Sequence, residues 1–146
     1  MSSFKGTYTH SVDEKGRLNL PAKLRKYVSP ENNDTYVVTR GFEQCLFVYP
    51  FDEWAKVEAK LRELNSYNSE HRKFLRAVLA MANEVQLDSQ ARLSVPPDLR
   101  DYAKIRGEVK IIGTLDKIEL WDPGIYEKYE ASLTESYEEI AEKVMK

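Results

Sequence analysis

The sequence predicts an α+β fold in which two copies of one small β-hairpin unit share a core and carry flanking helices. Three observations predict it. Residues 13–27, DEKGRLNLPAKLRKY, return as residues 88–102, DSQARLSVPPDLRDY. Asp13, Arg17, Leu18, Pro21, Leu24, Arg25 and Tyr27 reappear 75 positions on as Asp88, Arg92, Leu93, Pro96, Leu99, Arg100 and Tyr102. Around these motifs polar and apolar residues alternate, the period of a half-buried strand. Between and after the copies, the apolar spacing changes to that of a helix.

The elements follow in order. Arg17-Leu18-Asn19-Leu20 alternates as a strand, and His10-Ser11-Val12 is its expected partner. Asp13-Glu14-Lys15-Gly16 forms the hairpin connection, with aspartate at the first turn position and glycine at the left-handed one. Pro21 opens a short helix whose buried side is Leu24 and Val28. A second hairpin follows, with Tyr36-Val37-Val38 and Leu46-Phe47-Val48-Tyr49 as strands. With the offset reduced to 72, RGFEQCLFVYPFDEW (40–54) matches IGTLDKIELWDPGIY (112–126). The lost residues fall in the polar stretch SPENNDT (29–35), where a loop shortens cheaply.

Helical spacing then takes over. Trp54, Val57, Leu61 and Leu64 make one helical face, and NSYNS (65–69) breaks it. Ser69 is the expected N-cap of a helix carrying Phe74, Leu75, Val78, Leu79 and Ala82. Tyr126, Tyr129, Leu133 and Tyr137 space as a final amphipathic helix. The expected divisions are therefore a first unit at 7–54, a helical connector at 55–82, a second unit at 83–126 and a C-terminal helix at 127–146. One unit has too little core to stand alone, so stability already accounts for part of the duplication.

Bulk properties narrow the function. The chain has 146 residues, a single cysteine, Cys45, and a formal net charge of −2. One cysteine excludes an internal disulfide framework and favours a reducing cytoplasm. MSSFKGTYTH lacks the apolar core of a secretory signal, and no apolar run is long enough to span a bilayer. The charge is unevenly spread. Residues 1–28 hold six Lys/Arg against Asp13 and Glu14, whereas residues 127–146 hold six Glu against three Lys.

FKGTYTHSVDEKGRLNLPAKLR, the repeated D-x-x-x-R-L-x-x-P pattern and the CLFVYPFDEW and IELWDP segments closely resemble MraZ proteins, over nearly the full chain. That family resembles the wider AbrB-type swapped-hairpin group. The implied fold is two tandem hairpin units intertwined into one pseudo-symmetric barrel. The implied function is a bacterial transcriptional regulator, a repressor of the division and cell-wall gene cluster and of its own promoter. The resemblance also implies ring-shaped homo-oligomers on directly repeated boxes of double-stranded DNA, and so a cytoplasmic, nucleoid-associated protein.

The residues are weighed within that frame. Asp13 and Asp88 are turn residues by their chemistry. Arg17 is the expected base contact, since an arginine on a β-ribbon in the major groove binds guanine through two parallel hydrogen bonds. Lys15 beside it suits a phosphate or a guanine, and Gly16, Lys5 and Lys23 complete the expected DNA-facing set. The second copy differs: Lys15, Lys23 and Lys26 become Gln90, Asp98 and Asp101. Gly16 becomes Ala91, which disfavours a positive backbone angle. The first copy is therefore expected to supply most of the DNA affinity, with Arg92 either an auxiliary contact or an internal ion pair. Arg72, Lys73 and Arg76 form a basic helix face, read first as solvated surface and then as DNA flank or subunit contact. Trp54 and Trp121 read as core or interface anchors.

No cofactor, metal or catalytic residue is expected. Cys45 lies in an apolar strand, His10 and His71 lack partners at zinc spacing, and no phosphate loop or nucleophile elbow is present. The competing class is a protein-interaction or scaffold module of antitoxin type.

Overall fold

In the first copy, strand β1 (Thr7–Ser11) runs through a turn at 13–16 into β2 (Arg17–Asn19), and α1 (Ala22–Arg25) follows Pro21. After a 3-10 turn at Pro30–Asn32, β3 (Thr35–Arg40) and β4 (Leu46–Pro50) form a true hairpin. The second copy repeats this with β5 (Asn83–Gln86), β6 (Arg92–Ser94), β7 (Glu108–Gly113) and β8 (Ile118–Trp121). Helices α2 (Phe51–Arg62) and α3 (Ser69–Leu79) lie between the copies, and α4 (Pro97–Ala103) takes the place of α1. Two more, α5 (Pro123–Ser132) and α6 (Tyr137–Val144), end the chain. This computed structural model describes residues 2–146.

The expected pairing of 10–12 with 17–20 does not form. β1 pairs with β7, β5 with β3, and β2 with β6, all antiparallel and all across the two copies. The sheet order is β1-β7-β8-β4-β3-β5, with β2-β6 as a separate two-stranded ribbon. Exchanging the copies turns that order into itself, so the fold carries an internal pseudo-twofold axis. The large sheet is open, ending at β1 and β5, where a closed barrel was expected. A turn fixes where the chain reverses, but the free edge offering the most apolar contact decides where each strand pairs.

Side-chain alternation gives the large sheet two dry faces. Val38, Leu46, Val48, Val109, Ile111 and Leu120 face the ribbon, where Leu18, Leu93, Leu24 and Leu99 close the main core. Val37, Phe47, Tyr49 and Trp121 face the other way, with Trp54 from α2 and the partly buried Ile125, Tyr126 and Tyr129 from α5. Both tryptophans are buried anchors of this second layer.

Three local expectations are corrected. Asn68, not Ser69, caps α3, its Oδ1 accepting the N–H groups of Glu70 and His71. The C-terminal helix is two helices, because Ser136 starts a new one with a capping box to Glu139. The S-x-x-E signature at 136–139 outweighs the apolar spacing that runs across it. Ala91 adopts φ +60° despite its side chain. Its N–H donates to the Asp88 carbonyl at 2.9 Å, and this turn geometry outweighs the steric preference. Gly16 occupies the equivalent conformation at φ +80°.

Three outcomes are expected in urea denaturation. Leu93→Ala, at the centre of the ribbon, costs about 2–5 kcal/mol. Ala91→Gly raises stability by about 0.5–1 kcal/mol, since glycine carries no penalty at positive φ. Gly16→Ala lowers it, because a Cβ there meets the Arg100 side chain.

Candidate nucleic-acid interface

Each copy builds the same compact turn. Asp13 Oδ1 accepts the N–H of Lys15 at 3.0 Å and of Arg17 at 2.9 Å, while Oδ2 accepts the Arg17 Nε–H at 2.7 Å. Asp88 does the same with Gln90 at 2.9 Å, Arg92 at 2.9 Å and the Arg92 Nε–H at 2.7 Å. The four-residue spacing in D-x-x-x-R thus lets one carboxylate close the turn and hold the guanidinium. Each ion pair uses one of five guanidinium donors; among the described residues no hydrogen-bond acceptor takes the other four.

The turns are locked to the opposite copy. Val95 N–H donates to the Gly16 carbonyl at 3.0 Å, and Leu20 N–H to the Ala91 carbonyl at 3.3 Å. Asn19 Nδ2 donates to the Gln90 carbonyl at 2.9 Å. The turns therefore sit at opposite ends of the ribbon, roughly 13 Å apart at the rise of an extended strand.

Ribbon register decides where the arginines stand. Arg17 faces Ser94, Leu18 faces Leu93, and Asn19 faces Arg92. The two leucines point into the core, so Arg17, Asn19, Arg92 and Ser94 share the outer face. Arg17 and Arg92 are diagonal neighbours there, a spacing of roughly 7–8 Å. Their side chains remain 28% and 25% exposed. Two motifs distant in sequence become one surface.

The other expected residues divide. Lys15 is exposed on the first turn, Gly16 is buried beneath Arg100, and Lys23 is exposed on α1 just beyond the ribbon strand. Lys5 lies before the opposite end of β1, in a separate patch. Its Nζ donates to the Ser3 carbonyl at 3.0 Å and lies 4.9 Å from the centre of the Tyr27 ring, with Lys26 Nζ at 5.2 Å. The hydrogen bond from Lys5, then the charge of Lys26, pulls the Tyr27 hydroxyl below its ordinary pKa.

Four participants went unassigned in the sequence. Asn19 and Ser94 reach the outer face only through the cross-copy register. Arg25 and Arg100 fold their Nε–H groups onto the Leu20 and Val95 carbonyls, at 3.1 and 3.0 Å, and brace strand to helix. Their repeat spacing was visible, but that role depends on the backward fold of the chain. Cys45 is buried, and burial first, then the charges of Glu119 and Glu43, pushes its thiol up to about 12. Among the described residues, no cluster of His, Cys, Asp or Glu could hold a metal, and no helix is long and apolar enough to cross a membrane.

The family model described as "MraZ protein, putative antitoxin-like" matches the chain twice, over residues 3–77 and 78–146. The chain is 46% identical, over 94% of each sequence, to a protein of Halothermothrix orenii named Transcriptional regulator MraZ. It is 42% identical to a protein of that name from Natranaerobius thermophilus, over 97% of this chain and 96% of the relative. A third, from Desulforamulus reducens, is 37% identical over 97% of both.

The carboxylates make both turns sensitive to acid. The Arg17 backbone N–H, opposed by partial burial and reinforced by the Arg17 side chain, holds the Asp13 carboxyl below its ordinary value of 3.8. The Arg92 backbone N–H does the same for Asp88, with the same opposition and reinforcement from the Arg92 side chain. A carboxyl depressed in the folded state stabilises fully above its unfolded pKa and loses that contribution as pH falls through the folded one. This contribution to the melting temperature should therefore hold from neutral pH down to the ordinary carboxylate value of 3.8 and be lost as the pH falls further. The Asp13→Asn/Asp88→Asn double variant should start lower at neutral pH and fall less steeply, so that the two curves converge in acid.

Proposed function

This chain belongs to the MraZ family, and from that premise we propose that it is a sequence-specific DNA-binding transcriptional regulator whose reading surface is the outer face of the β2-β6 ribbon. The observation that supports it best is the meeting of both D-x-x-x-R motifs on that one face. A two-stranded ribbon fits the major groove, and an arginine presents paired donors to guanine. Asp13 holds the Arg17 guanidinium in place before any DNA arrives, which reduces the conformational entropy lost on contact.

Arg17 is the principal base contact in this reading, and Gly16 serves it from beneath Arg100 by holding the positive-φ turn that carries Lys15 and Arg17. Lys15 and Lys23 take neighbouring phosphates, while Lys5 takes a phosphate farther along the duplex. Asp13 and Asp88 maintain the turns. Arg92 stands on the same face but has the neutral Gln90 where Arg17 has Lys15, and its contribution is the smaller one.

A net charge of −2 with few contacts per protomer makes isolated binding weak. Assembly into a head-to-tail ring presents identical ribbons in one orientation, which matches directly repeated boxes and turns later contacts into intramolecular ones. Occupancy of those boxes then excludes polymerase. The regulated unit in this reading is the division and cell-wall gene cluster with the protein's own promoter, and the protein works on the nucleoid in the cytoplasm without catalysis. The rival reading, a scaffold of antitoxin type, rests on the family description alone.

Filter binding to the upstream region of its own gene, titrated against salt, tests the proposal. Arg17→Ala should lower single-box affinity by about 10–100-fold, the value of a bidentate guanine contact. Arg92→Ala should cost less. Lys15→Ala should weaken all sequences alike and flatten the salt slope by about one unit. Binding that ignores both salt and Arg17 favours the scaffold. A greater loss from Arg92→Ala than from Arg17→Ala reverses the order of the two copies.

A further inference from the structure

Helix α6 buries no side chain against the rest of the described residues. None of its eight residues is buried, although Tyr137, Ile140, Ala141 and Val144 recur at the spacing of one face. Tyr137 is 83% exposed and Val144 72%. An isolated helix of this length is marginal in water, and the stability of short helices comes from docking an apolar face. The capping box and the Lys143–Glu135 ion pair secure its start but bury nothing.

A second unpartnered surface lies between the copies. Helix α3 also has no fully buried residue, with Phe74 and Leu79 exposed. Between it and α2 runs a groove of about 360 Å³ floored by Leu61, Leu64, Leu75 and Leu79. Arg76 stands on its outer side, over the continuation of the same hollow. The two surfaces are opposite in charge. Helix α6 carries Glu138, Glu139 and Glu142 against Lys143, whereas α3 carries Arg72, Lys73 and Arg76 against Glu70.

We infer that α6 of one copy seats its apolar face in the α2–α3 groove of the next copy, joining protomers head to tail. The helix supplies the ridge and the acidic rim, and the groove supplies the apolar floor and a rim in which Arg62, Arg72 and Arg76 outnumber Glu58. The contact is heterologous: each copy keeps one free helix and one free groove, so assembly continues until a ring closes. The basic face of α3 is then a subunit contact rather than a DNA flank. The inference rests on the assembly proposed above, though not on any DNA contact.

Two variants that block opposite sides test it. Ile140→Glu/Val144→Glu spoils the helix face, and Leu75→Glu/Leu79→Glu spoils the groove; circular dichroism checks that each folds. In sedimentation velocity at micromolar concentration, wild type should be an oligomer and each variant a monomer. Mixed one to one, the variants should form a dimer and nothing larger, because only one intact helix–groove pair exists between them. Should the groove variant misfold, Lys73→Glu/Arg76→Glu replaces it, with Glu138→Arg/Glu142→Arg in the same chain expected to restore assembly.

A monomeric wild type, variants that keep the wild-type mass, or a mixture that stays monomeric overturns the inference. So does a Lys73→Glu/Arg76→Glu protein that keeps its mass while losing single-box DNA affinity. The monomeric variants keep Arg17 and should still bind one box, while losing the multi-box gain of about 10²–10⁴. Assembly as expected without DNA binding refutes the regulator reading alone. Arg17-dependent binding by a wild type assembled through another surface refutes the interface alone.

Discussion

The pairing of β2 with β6 is the constraint on which the rest depends. Three residue pairs join two strands that lie far apart in the chain, and their central leucines are both buried. Without that pairing neither copy covers its inner sheet face, and the arginines do not share a surface. Both turns are also incomplete alone, since each gives a carbonyl to a backbone N–H of the other copy. Stability and the candidate reading surface therefore arise from one exchange of strands. A substitution at Leu18 or Leu93 acts on both, even though neither side chain reaches solvent.

Charge is organised around the same axis, but asymmetrically. The two turns are superimposable in their hydrogen bonds, down to the 2.7 Å contact between carboxylate and Nε. What differs is the flanking residues: Lys15 on the first turn against Gln90 on the second, and Lys23 and Lys26 near α1 against Asp98 and Asp101 on α4. Duplication preserved the geometry that folding requires and left the flanking charges free to diverge. An overall acidic chain thus keeps an excess of lysine and arginine in its first 28 residues, while six glutamates gather in the last 20, away from the ribbon in sequence. The acidic helix and the basic α3 are complementary in the way that self-association needs and that a phosphate-binding surface would not tolerate at close range.

Much of the local architecture was legible before any coordinates. The turn at 13–16, the hairpins at 35–50 and 108–121 and the helical spacing after Trp54 follow from interactions only a few residues long. So did the prominence of Arg17, because the motif repeats and its aspartate lies at hydrogen-bonding distance along the chain. Misreadings came where two local signals competed. At 136–139 the capping box outweighs the apolar period that runs across it, and at Ala91 the turn hydrogen bond outweighs the steric preference against positive φ.

The sequence by itself determined that there are two copies, where each chain reversal falls, which residues close the turns and which side chains are apolar. Tertiary structure alone decided that the first strands of each copy pair with the other copy, that Asn19 and Ser94 join the two arginines on one face, and that the large sheet stays open. The physical reason is range. Turns and caps are closed by partners a few residues apart, so their chemistry is written locally. Alternation, by contrast, says only that a strand has a dry side, and the partner is whichever edge covers that side when the whole chain has packed.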